Sequence, residues 1–224
     1  MKKLIALCFF ASFFLCAIIH TTATANDAGW KFVKKKKGTS LYKRPVAGSK
    51  YDEFKAEAVC DASVEALLEV LIDVENYHNW LPACIEAKKL KMFDKDPLKG
   101  NLLFYLIINA QWPVQNRDFI IKSNTTTDWV NGIVQIDLKT TDKFGYPPIN
   151  GRYRVDLFTA SFRFEYISRN ETKVSYTTHS ESGGKAPLVL VANVNKQLTF
   201  ATIKKLTDMS RDPVYMKRAM RDFN

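Results

Sequence analysis

Pro187-Leu188-Val189-Leu190-Val191-Ala192-Asn193-Val194 is the stretch on which the fold turns. After the proline it is apolar at almost every position, so a helix built from it is greasy on all sides. Pro187 suits the first turn of such a helix. Further on, Lys196, Gln197, Lys204 and Lys205 give a polar side opposite Leu198, Ala201 and Leu206. A helix of this kind needs a surface to lie across, and the residues before it supply one.

Working back from Pro187, the chain reads as strands. Residues 102–108 are almost continuously apolar and should be covered on both faces. Residues 119–123 follow the Trp112-Pro113 break. Residues 133–140 alternate, with Val134, Ile136 and Leu138 opposite Gln135, Asp137 and Lys139. In residues 152–158 Tyr153, Val155 and Leu157 oppose Arg154 and Asp156. Phe162-x-Phe164-x-Tyr166 and Val174-x-Tyr176-x-Thr178 keep the same period of two. Three shorter strands are expected earlier, over residues 30–36, 40–46 and 51–60, divided by Lys37-Gly38-Thr39 and Ala47-Gly48-Ser49. Asp61 or Ser63 then caps a helix whose Val64, Leu67, Leu68, Leu71 and Ile72 share one face. It ends by Tyr77-His78-Asn79-Trp80-Leu81-Pro82. Short links favour an antiparallel meander. The expected fold class is α+β: one curved antiparallel sheet wrapped around a long C-terminal helix.

Met1-Lys2-Lys3, an uncharged apolar run over residues 4–19, and Ala23-Thr24-Ala25 have the form of a cleaved secretory signal, residues 1–25. The expected domain is then residues 26–212, with a basic tail over 213–224, and the location is exported, periplasmic or secreted. Of the 4 cysteines, only Cys60 and Cys84 survive cleavage, and both a bridge and two free thiols are open. With Gly at 9 and Pro at 8 in 224 residues, and 46% hydrophobic residues, low-complexity disorder is excluded and a sizeable core is affordable.

The net charge is +10. Lys34 to Lys37 form one cationic group and Lys88, Lys89 and Lys91 another. An anionic membrane surface and a solvated face are the two readings of them. No aromatic stacking or arginine-rich motif goes with them, so no nucleic-acid partner is expected. Beyond the leader the only histidines are His78 and His179, far apart in the chain, and neither sits at metal-ligand spacing. No nucleophile motif is recognisable around Ser180 and Ser182. No cofactor, metal or catalytic set is expected.

Trp112-Pro-Val-Gln-Asn-Arg-Asp-Phe119 resembles the Pro-x-x-Asn-Arg-Asp-Phe segment of START lipid-transfer domains. The stretch Val174-Ser-Tyr-Thr-Thr-His-Ser-Glu-Ser-Gly-Gly-Lys-Ala-Pro187 resembles that family's strand, Gly-Gly turn and last helix start. Tyr77-His-Asn-Trp80 and Asn193 fit the same pattern. The resemblance spans residues 30–209, and implies a secreted, single-domain member of bacterial type.

It implies a helix-grip fold with an internal hydrophobic tunnel for one lipid or sterol-like molecule, closed by the C-terminal helix. Arg117 and Asp118 match the family's Arg-Asp pair, which is read either as an anchor for the loop between strands or as a ligand contact; Gly183, Gly184 and Pro187 match its turn. The tunnel wall would be Phe104, Leu106, Ile108, Phe119, Ile121, Val134, Ile136, Tyr153, Val155 and Tyr176, roofed by Leu190 and Val194. Some sterol-type members carry an acid and an arginine in the tunnel; those places fall on Phe104 and Ser123 here. The polar head of a ligand would then turn to Arg154, Tyr176 or His179. The expected function is binding and transfer of a hydrophobic small molecule by a monomer gated by residues 188–198. The alternatives are a cyclase- or hydrolase-type enzyme in the same cavity, and an interaction module with a filled interior.

Overall fold

The computed structural model describes residues 29–94, 101–110, 114–181 and 187–222. The expected leader, Trp112, Gly183 and Gly184 lie outside the described residues.

Ten strands form one sheet. They are β1 (Lys31–Lys36), β2 (Thr39–Arg44), β3 (Glu53–Cys60), β4 (Cys84–Met92), β5 (Leu102–Ile108), β6 (Asn116–Asp128), β7 (Ile133–Thr140), β8 (Arg152–Arg154), β9 (Leu157–Ser168) and β10 (Glu171–Glu181). The order is β1-β2-β3-β10-β9-β7-β6-β5-β4, every neighbour antiparallel, with β8 parallel to β6 outside this path. Sequential hairpins build each half, and the β3–β10 pairing joins them. Helix α1 (Val64–Ile72) and the single turn α2 (Tyr77–Trp80) carry the chain from β3 to the far edge at β4. Helix α3 (Leu188–Ser210) lies against β2, β3 and β10, and α4 (Pro213–Asp222) packs on α1.

The period of two sets the core. Leu102, Phe104 and Leu106, Phe119 and Ile121, Val134 and Ile136, Phe162 and Phe164, Val174 and Tyr176 all turn to the helix side. There they meet Leu67, Leu68 and Leu71 of α1 and Ile203 and Leu206 of α3. Each such aliphatic or aromatic side chain, once buried, contributes roughly 1.5–3 kcal/mol. As the unbroken apolar run of β5 requires, its other face is covered too: Leu103, Tyr105 and Ile107 pack with Ile120 in a second cluster.

Ser63 is the cap of α1, accepting the Ala66 N–H at 3.2 Å. Two thiols are free: Cys60 is buried, with its sulfur 2.7 Å from the Thr207 hydroxyl, and Cys84 is half-buried. Lys37 and Gly38 form the two-residue β1–β2 turn with φ of 50° and 80°, the pattern of a type I′ hairpin.

Several expectations change. The residues expected as a basic tail form helix α4, because Tyr215 and Ala219, four apart, give it an apolar seam that buries against α1. β4 was hidden by its charges, and its register breaks between Cys84 and Glu86 and between Lys89 and Lys91. The expected strand 152–158 breaks between β8 and β9, so the alternation is lost and Leu157 is exposed. The two lysine groups occupy the two edge strands, β1 and β4. Ammonium groups on an edge discourage pairing with another sheet, the reading that a solvated face implies.

Candidate functional site

The concave interior between the sheet and the helices is the candidate site. On β5, β6, β7, β9 and β10 the inward positions carry no carboxylate and no histidine. Phe104, Leu106, Phe119, Ile121, Val134, Ile136, Val155 and Tyr176 are buried in this interior, with Ile108 and Tyr153 packed at its margin. The ring of Tyr176 stacks on Phe162 at 4.3 Å, and Tyr77 meets Phe104 edge-on at 5.8 Å.

The expected wide tunnel is not open. A void of about 20 Å³ lies between α1 and the sheet, lined by Leu68, Leu71, Ile72, Tyr77, Leu102, Phe104, Ser123, Thr125, Ile136, Leu138 and Phe162. That is room for about one water molecule. Large inward aromatic and aliphatic side chains fill the remainder. Of the residues expected to line a tunnel, only Phe104 and Ile136 touch this void. Its roof is α1, whose apolar face was readable in the sequence as a helix stripe but not as a lid.

Leu190 and Val194 are corrected. Over residues 188–194 only Val191 is buried, while Leu188, Val189, Leu190 and Val194 are exposed. The inward stripe of α3 is Val191, Thr199, Thr202, Ile203 and Leu206. Thr199 and Thr202 donate their hydroxyls to the Asn195 and Leu198 carbonyls, which leaves their methyls to face the core.

Arg117 and Asp118 point to opposite faces of β6, so they do not pair with each other. Asp118, fully buried on the outer face, accepts from Arg154 at 2.9 Å and from the Tyr105 hydroxyl at 3.1 Å. Arg154 also donates to the Tyr146 and Pro147 carbonyls, and Arg152 to the Tyr105 hydroxyl. This network fastens β8 and the preceding loop; Asp118 takes part in it and Arg117 does not. It also takes Arg154 away from the interior. Arg117 is buried on the helix side with its guanidinium 5.9 Å from the Tyr153 ring, donating to the Gln115 carbonyl. Burial pushes its pKa down, with Tyr153 and Tyr51 acting the other way.

His179 is buried on the face opposite Tyr176, with Nε2 3.8 Å from Glu181, and so does not reach the interior. His78 is exposed at a helix end. Tyr176 is pushed up to about 12 by burial, against the effect of its hydrogen bond with Thr178, and stays a neutral phenol. Buried polar atoms without a hydrogen-bond partner among the described residues include the Trp80 indole N–H, one oxygen of Asp118 and Nδ1 of His179. A second void, outside the core, is a cleft of about 610 Å³ between the α1–α2 connection and α4, lined by Asp73, Asn76, Met209, Tyr215 and Arg218 among others.

The sequence profile of the START domain family matches residues 17–213, so all of α4 but its first residue lies beyond the matched part. An uncharacterized protein of Pseudomonas aeruginosa is 28% identical over 190 residues, covering 85% of this chain and 91% of its own. The STAR-related lipid transfer protein of Xanthomonas axonopodis has a similar structure, with a TM-score of 0.73 at 25% identity; the match covers 82% of this chain and 99% of that one. Human STARD10 gives a TM-score of 0.75 at 18% identity over 88% of this chain and 79% of its own, a likeness of fold.

Proposed function

The chain belongs to the START domain family, and from that premise we propose that it binds a lipid or another apolar small molecule between its sheet and its helices and carries it between membranes. The observation that carries this is the helix-side face of the sheet: dominated by aliphatic and aromatic side chains from β10 to β5, and already parted from α1 by a small void. The name of the Xanthomonas relative, a lipid transfer protein, supports the same class of ligand. Water released from a buried acyl chain gives roughly 25 cal/mol per Å², enough to drive uptake without catalysis.

The void of about 20 Å³ is too small for an acyl chain. Loading requires α1, or the first half of α3, to draw away from the sheet. The exposed Leu188, Val189, Leu190 and Val194 offer a bilayer an apolar surface at the start of α3. The β1 lysines border the same helix, with Lys34 4.3 Å from the Phe200 ring, and supply attraction to anionic lipid. In this reading the protein acts as a monomeric carrier, not an enzyme. It is exported, with cleavage after Ala25, as the leader-like residues 1–25 suggest.

The size of the void also favours a second reading, an interaction module whose interior is permanently filled by its own side chains. Native mass spectrometry of protein purified from its host, with assay of transfer between vesicles, separates the two. The carrier reading expects one co-purifying amphiphile and accelerated transfer. No bound lipid and no transfer leave the filled module.

A further inference from the structure

Arg117 is a cation in the wrong place for a purely structural role. It is 8% exposed, on the helix side of β6, and it shares that side with Phe119, Ile121 and Ser123. Arginine does not give up its proton when buried. Yet no carboxylate among the described residues pairs with it: its neighbour Asp118 faces the other way and is committed to Arg154. Among the described residues one of its N–H donors is used, on the Gln115 carbonyl; its guanidinium lies 5.9 Å from the Tyr153 ring, and the Tyr153 and Tyr51 phenols act on its charge. Three charged side chains are buried among the described residues, Glu69, Arg117 and Asp118, and Arg117 is the one on the helix-side face of the sheet. At about 3.3 Å per residue, Arg117 stands roughly 20 Å from Ser123, with only Phe119 and Ile121 between them on that face. Ser123 lines the void under α1. One strand thus offers a cation at one end, an aromatic and an aliphatic side chain in the middle, and the small void under α1 at the other.

We propose that Arg117 receives the anionic head, a carboxylate or a phosphate, of an amphiphile whose tail lies along Phe119 and Ile121 toward α1. This rests on the lipid-binding reading and narrows its ligand class to acidic amphiphiles. A guanidinium with free donors forms paired hydrogen bonds with either group. A neutral head leaves the cation without a counter-charge.

The test uses the full chain and two matched probe pairs: stearate with stearyl alcohol, and dioleoyl phosphatidate with dioleoylglycerol, the latter pair presented in phosphatidylcholine vesicles. The readout is the ratio of affinities within each pair, by native mass spectrometry and partition. The charged member of at least one pair should bind about ten- to a hundredfold tighter; which pair does so tells a carboxylate from a phosphate head. In Arg117→Gln that ratio should fall toward one, and in Arg117→Lys, which folds with its charge but without the planar fork, it should fall several-fold. Ratios near one in the unmodified protein, or unchanged in Arg117→Lys, overturn the proposal while leaving lipid binding in place. Failure of all four probes to bind overturns lipid binding itself, and this inference with it.

Discussion

Asp118 and Arg154, thirty-six residues apart, meet at 2.9 Å on the outer face of the sheet, the acid fully buried and the arginine mostly so. The pair ties β6 to β8 and, through the Tyr146 and Pro147 carbonyls, to the loop before it. Removing the acid leaves a partly buried guanidinium without its anion. Asp118→Ala should therefore cost about 3–5 kcal/mol, read as a lower urea midpoint with an unchanged m-value. A cost below about 1 kcal/mol would show that the pair does not hold the loop.

Alkaline pH should destabilise the protein. Burial pushes Cys84 up to about 11 from 9.0, and Tyr176 and Tyr215 up to about 12 from 10.0. Each group holds its proton longer when folded. The stability they lend is complete below their unfolded values and drains away as pH rises through the folded ones. The melting temperature should be flat from pH 7 to 9 on their account and fall from 9 to 12. In Tyr215→Phe the part of the fall due to that phenol should disappear.

The hairpin turn carries a correctable strain. Lys37 sits at φ 50°, a left-handed backbone that asparagine tolerates better than lysine. Lys37→Asn should stabilise the fold by about 0.5–1 kcal/mol, measured by chemical denaturation. A loss of stability would place the lysine side chain in a role of its own.

Ser63 is the cap of α1, the helix that roofs the void. Ser63→Ala should cost about 1 kcal/mol. If α1 draws away from the sheet during loading, the same variant should also speed exchange of bound probe in a stopped-flow assay. An unchanged exchange rate would point to α3 as the moving element.

The interior residues were legible because a strand's period of two leaves a mark that burial then obeys. Val134 and Ile136 turned inward as the alternation required, and β5 was recognised from being apolar on both sides. Strand β4 left no such mark: it is an edge strand, so solvent tolerates Glu86, Lys88, Lys89 and Lys91, and two register breaks blur its phase. Helix α4 escaped because only Tyr215 and Ala219 are buried in a basic segment. The exposure of Leu190 and Val194 has no local signature, since it depends on how far α3 overhangs the sheet. Arg117 was readable as a motif residue; its face follows from its parity with Phe119 and Ile121 once β6 extends back to Asn116, and Asp118's partner from where β8 docks.

Helix α4 has a mechanical consequence. It grips the back of α1, with Arg218 2.7 Å and the Tyr215 hydroxyl 3.0 Å from Asp73 at the end of α1. The front of α1 carries Leu68 and Leu71 over the void. If α1 moves away from the sheet, α4 must travel with it or these polar contacts must break, so the last ten described residues restrain α1 from behind, on the side away from the void.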